Sequence, residues 1–484
     1  MRGTWPSGTI VVGRRRVHLL GLPALWLVLG LFVVGGWQIG GMIRQALAAY
    51  PVPALAAMLV FGLYAVPFVL VVRGVDFLEQ EPPALIAVAF CWGGVVATSQ
   101  AIPANAAVRN ILASLYSPSF ADTWSPAISA PVVEEVLKAL GVVAIVLLAI
   151  QHINSVLDGF VYGSMVGLGF QVVEDFVYAV NAIHQANLAG SDDWVSPLMA
   201  TFLARGFLSG LWSHTMFTAL AGAGIAYAVV RRHHSRFRRF GIAVLAFVGA
   251  WGFHFVWDTP WLFDGFGLGV EGVLAAVVIK GLPGLVVVLL LARAALQQEA
   301  AYYTQLLRSV SDISLVTPQE ISVLVKGRNR IAARRAARSR YGWRGALAVR
   351  RLQRAQARFA VALGRYVDGA GGPDDARQVA VLRRREDDVR RARQRLNALG
   401  IDRIEVPEPV PHTVIGALAI GFGLMGVAVP QLFVVSVAVA GIGLYRARRR
   451  REVPDSWFGD GLLISAIGIA LWLLSYLIAG SLGD

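Results

Sequence analysis

Charged side chains are scarce in this sequence: Lys, Arg, Asp and Glu make up only 15% of its 484 residues, whereas 56% are hydrophobic. A soluble globular chain carries about 25% charged residues. Several uncharged apolar runs also reach the roughly 20 residues that a helix needs to cross a bilayer. The shortage of charge therefore excludes an ordinary soluble protein and indicates a polytopic integral membrane protein.

Cysteine and lysine are nearly absent. Cys91 is the only cysteine and lies in an apolar run, which excludes an internal disulfide and gives no sign of thiol chemistry. Lysine occurs only at Lys138, Lys280 and Lys326, so arginine carries almost all of the net charge of +14. Basic charge in a membrane protein is more typical of cytoplasmic loops near anionic lipid than of nucleic-acid binding.

The apolar runs predict an all-α fold, a polytopic transmembrane helix bundle with about eight core helices and about three more near the C-terminus. The predicted spans are 17–37, 52–73, 82–102, 126–151, 155–181, 198–230, 240–258 and 270–293, then 413–429, 432–446 and 460–480. We expect a membrane-embedded core at 1–293, an Arg-rich helical cytoplasmic segment at 294–411 and C-terminal transmembrane helices at 412–484. Within the middle segment, Thr317 to Glu320 has the pattern of a helix start.

Arginine sets the predicted orientation. Arg14–Arg16 precede the first apolar run, which we interpret as a retained helix and not a signal peptide, because no small-residue cleavage site closes it. The positive-inside rule places these arginines in the cytoplasm. Alternation then also places 231–239, 294–411 and Arg446–Arg451 inside. We therefore predict a multi-pass plasma-membrane protein with a cytoplasmic N-terminus.

Ionisable residues inside the predicted spans cost about 2.5–3.5 kcal/mol each on insertion scales, so they need a reason to be there. They are Glu134, Glu135 and Lys138 on the fourth helix, Glu174 and Asp175 on the fifth, His214 on the sixth, and His254 and Asp258 on the seventh. We estimate the depth of each residue from its distance to the helix end, at 3.6 residues per turn. By this count four residues share a depth in the outer half of the membrane: Glu134, Glu174, His214 and His254. Unrelated polar residues would have little reason to share a depth.

These residue types suit the hydrolysis of an amide bond. A zinc ion lowers the pKa of bound water to about 7 and usually takes three protein ligands at catalytic sites. Glu174, His214 and His254 are the predicted ligands of a divalent metal, with zinc the preferred ion. A buried glutamate, Glu134 or Glu135, would serve as general base and then as general acid.

Two further residues complete the predicted site. Lys138 lies four residues after Glu134, on the same helix face, and would hold the other carboxylate ionised. Asp258 lies four residues after His254 and would orient its imidazole from behind. Arg205 and Lys280 also lie in apolar runs, but the sequence assigns them no role.

Each residue alone has a plainer interpretation. Glu134 and Lys138 could form an ion pair that only fixes helix packing. His214 could be a hydrogen-bonded interior histidine. Glu174 could mark an interfacial helix end, and Asp258, just before Thr259-Pro260, could do the same. The combination on four helices favours a catalytic site over these separate explanations.

The ordered motifs resemble those of a known family. Glu134, Glu135 and Lys138 form an EExxK pattern after Ala130-Pro131, Phe170 lies four residues before Glu174, and His214 and then His254 with Asp258 follow on later helices. In this order and spacing the chain resembles the PrsW family of intramembrane proteases, which belongs with the CAAX-prenyl-protease-like membrane enzymes.

The resemblance covers roughly 126–260 and does not extend to 294–484. It implies cleavage of membrane-anchored regulators, such as anti-sigma factors, on their extracytoplasmic side. It leaves open whether the mechanism is a true metal site or is centred on a glutamate.

The sequence therefore predicts an intramembrane endopeptidase acting on single-span membrane proteins near the extracytoplasmic face. The alternative is a proton- or ion-coupled transporter that uses the same side chains as a relay. Transporters of that kind often show inverted repeats, and none is evident between the halves. A binding-only relative without activity is a third option, which the complete motif set argues against. Because 294–411 has few aromatic residues to stack bases, we predict contact with anionic lipid or a substrate tail there, and no nucleic acid.

Overall fold

The computed structural model describes most of the chain. The described residues are 9–12, 15–210, 212–262, 265–267, 269–367, 376–404, 414–425, 431–449, 461–466 and 469. The contacts divide the chain into two compact units, one formed by Met1–Asp264 with Ala276–Gln297 and the other by Gly265–Ala275 with Gln298–Asp484.

The first unit is a bundle of long helices after a short hairpin. The hairpin pairs β1 (Thr9–Val12) with β2 (Arg15–His18) in antiparallel register. The helices are α1 (Pro23–Ala49), α2 (Pro51–Val75), α3 (Pro83–Cys91), α4 (Thr98–Leu115), α5 (Pro118–Ala149), α6 (Val156–Leu188), α7 (Val195–Thr201), α8 (His214–Val230), α9 (Arg236–Asp258) and the Ala276–Gln297 part of α10 (Gly269–Arg308). A short π-helical segment, Trp92–Ala97, joins α3 to α4. A second one, Phe202–Ser209, follows α7.

The predicted fold class is confirmed: the chain is an all-α polytopic membrane protein, and its described strands are confined to the hairpin. Six helical segments are long and apolar enough to cross a membrane, namely α1, α2, α3 with α4, α6, α9 and the part of α10 from Ala275. Helix α5 is as long as these but carries the EExxK motif near its middle, and α8 is a shorter apolar helix.

Several predicted helix boundaries were wrong. The first helix ends at Ala49 and not at residue 37, the fourth begins at Pro118 and not at residue 126, the fifth ends at Leu188 and not at residue 181, and the eighth ends at Arg308 and not at residue 293. The first helix begins at Pro23 and not at residue 17, because Arg15–His18 pairs as a strand. The third continues to Leu115 instead of ending at residue 102, since the polar side chains after that point find partners inside the bundle. The sixth, predicted as one run over 198–230, is interrupted after Ser209, and His214 begins α8.

Helix α6 lies at the centre of the first unit and is its most buried span. Its glycines Gly159, Gly163 and Gly167 face α8. A Cβ atom at Gly163 would lie 2.2 Å from the backbone carbonyl oxygen of Thr218, and one at Gly167 would lie 2.2 Å from that of His214. Glycines at a spacing of four predict close helix packing, and α8 does approach closely there. This contact sets the position of His214.

Gly167→Ala is expected to lower both stability and activity. The added methyl would displace the α8 backbone at His214, and overpacking of this kind costs about 1–3 kcal/mol. The measurement is thermal unfolding in detergent together with cleavage of a membrane-anchored bait. Gly62→Ala in α2 is the matched control, because a Cβ there meets nothing within 4 Å. Equal behaviour of the two variants would contradict the close approach.

The loop between α2 and α3 holds two buried carboxyls. Glu81 is only 2% exposed, its backbone N–H donates to Asp76 Oδ2 at 3.0 Å, and the Tyr162 hydroxyl donates to its Oε2. Burial raises the pKa of Glu81 to about 9 and that of Asp76 to about 7. The folded protein therefore binds protons here that the unfolded chain has already released at neutral pH.

Stability is expected to fall as the pH rises through this range. A carboxyl whose pKa is higher in the folded than in the unfolded state favours folding fully below the unfolded pKa, and that contribution is lost as the pH passes the folded pKa. For Glu81 this window runs from about pH 4.5 to about pH 9. Glu81→Gln should match wild type at pH 5 and have a melting temperature at least about 3 °C higher at pH 9. Asp192→Asn, in an exposed loop, is the control; a gain that is the same for both variants would contradict the assignment.

The second unit contains α11 (Pro318–Leu324), α12 (Gly327–Val367), α13 (Ala376–Asn397), α14 (Val414–Met425) and α15 (Gln431–Arg449). The predicted helix start is confirmed, because Thr317 and Glu320 form a reciprocal capping box at α11. The predicted helices 413–429 and 432–446 correspond to α14 and α15. Most of the predicted helix 460–480 lies outside the described residues.

Candidate active site

Four helices of the first unit bring polar side chains to one place. Helix α5 supplies the EExxK motif, α6 supplies Glu174, and α8 and α9 each supply one histidine, His214 and His254. His214 occupies the first position of α8, directly after the interruption of the helix, and α6 fixes its backbone through Gly167. All of the predicted site residues on α5, α8 and α9 other than Asp258 are buried.

Glu134 and the two histidines form the group at the centre. Glu134 Oε2 lies 3.9 Å from His214 Nδ1 and 4.0 Å from His254 Nε2. One ligand atom from each residue can be chosen so that all three lie within 4.8 Å of one another. Asn105 donates a hydrogen bond of 2.9 Å to Glu134 Oε1, whereas Oε2 has no hydrogen-bond partner among the described residues. The free oxygen is thus directed toward both imidazoles.

Lys138 supplies the positive charge of the site. Its Nζ donates to Glu135 Oε1 at 2.6 Å, lies 3.7 Å from Glu134 Oε2, and lies 2.9 Å from His214 Nδ1. The Phe170 ring lies beneath it, 4.5 Å from Nζ to the ring centroid. The Lys138 side chain is fully buried, so these contacts replace the water that an ammonium group would otherwise bind.

Carboxylates contact both histidines, and Asp258 shares with Glu134 the Nε2 side of His254. Glu135 Oε1 lies 2.8 Å from His254 Nδ1, and Asp258 Oδ2 lies 3.1 Å from His254 Nε2. Glu174 Oε2 lies 2.8 Å from His214 Nε2. Because Lys138 donates to the other ring nitrogen of His214, the Nε2 atom carries the proton and donates to Glu174. Such carboxylate–histidine contacts fix the tautomer and direction of a metal-binding imidazole.

Glu174, a predicted metal ligand, contacts Arg205 as well as His214. Arg205, from the π-helical segment Phe202–Ser209, donates to Glu174 Oε2 at 2.6 Å and to Asp175 Oδ1 at 2.8 Å. Glu174 is therefore held between Arg205 and His214. The metal-compatible group found among the described residues contains Glu134 in place of Glu174.

Two polar residues of this region escaped the sequence reasoning. The sequence assigns Arg205 no role, although an arginine in the span that follows an acidic pair is a signal for an ion pair. Asn105 was placed in a loop, because the predicted third helix ended at residue 102. The signal that would have found it is an amide two residues after Pro103, since a proline within a span often accompanies polar groups.

The group fits a divalent metal in its chemistry. Two imidazoles and one carboxylate are the protein ligands of one class of catalytic zinc site, which keeps a fourth position for water. The unpartnered oxygen of Glu134 is the second feature that fits, because a buried carboxylate oxygen without a hydrogen bond is costly unless a cation or proton meets it.

Comparison with known proteins agrees with this geometry. Residues 81–291 match the model of the family described as PrsW family intramembrane metalloprotease, and this range contains every predicted site residue. No curated protein and no solved structure matches the chain. The matched segment begins at the buried Glu81 and ends within α10, so it includes the helices that carry the site. The resemblance noted in the sequence is thereby confirmed over residues 81–291, which are similar to the PrsW family of intramembrane metalloproteases.

Proposed function

We propose that this protein is an intramembrane endopeptidase that hydrolyses peptide bonds of single-span membrane proteins near the extracytoplasmic face. The observation that carries the proposal is the buried group of Glu134, His214 and His254 on three packed helices. The face follows from the arginine-rich segments, which favour a cytoplasmic N-terminus in the plasma membrane. By resemblance, membrane-anchored regulators such as anti-sigma factors are the substrate class.

Glu134, His214 and His254 are proposed to hold a divalent metal, and the donor set favours zinc. Such a metal, when bound, lowers the pKa of its coordinated water to about 7 and polarises a carbonyl oxygen. The chain's own contribution is to aim the three ligand atoms at one point. Glu174 does this for His214, while Glu135 does it for His254 through Nδ1.

Glu135 is proposed as the proton acceptor. Its Oε2 atom is buried and has no hydrogen-bond partner within the described part of the chain, whereas Oε1 is held by Lys138 and His254. A glutamate in this position takes a proton from the attacking water and returns it to the leaving amine. Lys138 balances the charge of Glu135 and offers a positive charge where negative charge develops during the reaction.

The basic second unit is proposed to meet anionic lipid at the cytoplasmic face. Helix α12 alone carries Arg344, Arg350, Arg351 and Arg358 on exposed positions. Each basic residue near an anionic surface contributes about 1 kcal/mol of attraction.

His254→Ala is expected to abolish cleavage of a co-expressed single-span bait, with a loss of at least about 10³-fold in rate, because it removes one predicted ligand and the partner of Glu135. The measurement is the amount of cleaved bait at equal membrane levels of enzyme. His233→Ala, in the exposed loop between α8 and α9, is the matched histidine control and should cleave normally.

The transporter alternative gives the opposite pattern. If wild type leaves a broad panel of baits intact, while a proton-flux assay in vesicles responds to His254→Ala and not to His233→Ala, the residues form a relay and the protease proposal is wrong.

A further inference from the structure

A groove of about 440 Å³ opens between α1 and α4. Both helices belong to candidate membrane spans, so the groove faces the lipid. Its polar residues are Gln38, Arg44 and Gln45 of α1 and Ser99 of α4, and they lie beside Trp37, Gly41 and Pro103. It is lateral to the site, and no residue assigned above to metal binding or proton transfer lines it.

The groove presents hydrogen-bonding groups where a lipid-facing wall would normally be apolar. Gln38 and Gln100, each near the middle of its span, pair at 3.3 Å between Gln100 Nε2 and Gln38 Oε1, which leaves the Gln38 amide N–H groups free. Gln45 is exposed and forms no hydrogen bond to a described residue. Unpaired amides cost several kcal/mol each in hydrocarbon, so their presence calls for a polar occupant.

The backbone adds another acceptor. Pro103 has no N–H, so the carbonyl oxygen of Ser99 lacks its usual donor four residues ahead in the helix. Ser99 lines the same groove. The wall thus offers side-chain donors and a backbone acceptor close together, which is what an extended peptide pairs with.

We propose that this groove binds the unwound part of a substrate's transmembrane segment and leads its scissile bond to Glu134. The inference rests on the proposed peptidase function and names where its substrate docks. A peptide bond within a helix must leave that helix before it can be hydrolysed, and this exposes N–H and C=O groups that lipid cannot satisfy. The amides and the free carbonyl of the groove satisfy them.

Asn105 links the groove to the site. It follows Pro103 by two residues on α4, and its Nδ2 donates to Glu134 Oε1 at 2.9 Å. Its Oδ1 atom is buried and has no partner among the described residues. An acceptor held beside Glu134 is positioned to take a hydrogen bond from the backbone N–H of a peptide that passes from the groove toward the histidines.

The shape of the groove suits a peptide chain. A Cβ atom added at Gly41 or at Gly40 would meet nothing within 4 Å, so α1 leaves open space at this level. Trp37 is 81% exposed and provides an aromatic wall beside it. An acyl chain would fill the same space without using any of the amides, which is why we assign a peptide.

Filling the groove tests the assignment. Gly41→Leu should raise KM for the bait about tenfold with little change in kcat, because it blocks docking and leaves the reacting groups in place. Gly62→Leu on α2 is the matched control, since both glycines face open space and both changes favour helix. Unchanged KM for Gly41→Leu, with melting temperatures equal to wild type, would overturn the proposal.

Cross-linking tests occupancy directly and does not depend on turnover. In a Cys91→Ser, Glu134→Gln background, a benzophenone maleimide is attached at Trp37→Cys or at Leu63→Cys, the latter on the lipid-facing side of α2, where Leu63 is 62% exposed. Strong cross-linking to the bait from position 37 and little from position 63 supports the groove. Cross-links from position 37 to lipid, or to a second copy of this chain, overturn it.

The two proposals fail in different ways. If wild type cleaves no bait, the peptidase function itself is wrong. If wild type cleaves the bait but position 37 cross-links no better than position 63, the function stands and only the groove is wrong.

Discussion

Glu134→Gln is expected to lose bound metal and at least about 10³-fold of kcat/KM, whereas Glu135→Gln is expected to keep the metal and lose a comparable amount of activity. The two glutamates are neighbours in sequence but have different surroundings. Glu134 Oε2 faces both histidines without a hydrogen bond, while Glu135 is tied through Oε1 to Lys138 and His254. Metal content should therefore distinguish the proposed ligand, Glu134, from the proposed proton acceptor, Glu135, although loss of either one should stop turnover.

The measurement is the metal content of purified protein by mass spectrometry, taken beside the rate of bait cleavage at equal protein. Glu81→Gln is a useful control, because it removes another buried glutamate of the first unit that lies away from the histidines. A chelator should inactivate wild type, and added zinc should restore it. A metal-free wild type that cleaves normally would show that the mechanism is centred on a glutamate alone.

The reverse pattern would assign the roles the other way. If Glu134→Gln keeps its metal and Glu174→Gln loses it, the ligand set is the one that the sequence predicted, with Glu174, His214 and His254. The present geometry argues against this, because Arg205 already neutralises Glu174.

The elements that sequence reasoning placed well have strong local signals. An ionisable residue in an apolar run is costly, and Glu134, Lys138, His214 and His254 each stand out in this way. The spacing of three glycines on α6 likewise predicts close packing, and α8 does approach there. These predictions needed no knowledge of which helices touch.

The choice between Glu134 and Glu174 did depend on that knowledge. Both are acids inside spans, and what separates their surroundings is a third residue, Arg205, from a π-helical segment that no periodicity predicts. Asn105 was missed for a related reason: a polar run after residue 102 resembles a loop until a neighbouring helix supplies partners for it. Pairing between distant helices is the information that one sequence lacks.

Lys138→Met is expected to be the most destabilising single change in the site. Lys138 is the only described lysine or arginine side chain within 4 Å of the carboxylates of Glu134 and Glu135, and it is fully buried. Removing one partner of a buried ion pair leaves an uncompensated charge and typically costs about 3–5 kcal/mol. For a domain of this size we expect the melting temperature in detergent to fall by roughly 10 °C.

A second substitution separates lost charge balance from lost packing. Lys138→Met with Glu135→Gln should recover much of the stability, because it removes the unpaired carboxylate, yet it should stay inactive because the proposed proton acceptor is gone. Lys280→Met is the matched lysine control: among the described residues Lys280 donates to the backbone carbonyls of Trp257 and Thr259, and we expect a loss of about 1 kcal/mol.

The stability of Lys138→Met should depend on whether the protein contains metal. A bound divalent cation would supply some of the positive charge that Lys138→Met removes, so the variant should be less destabilised with zinc present than with a chelator. This difference requires the metal to lie beside the same carboxylates. If Lys138→Met is no less stable than Lys280→Met under both conditions, the carboxylates of α5 are not ionised in the folded protein, and the role assigned to Lys138 is wrong.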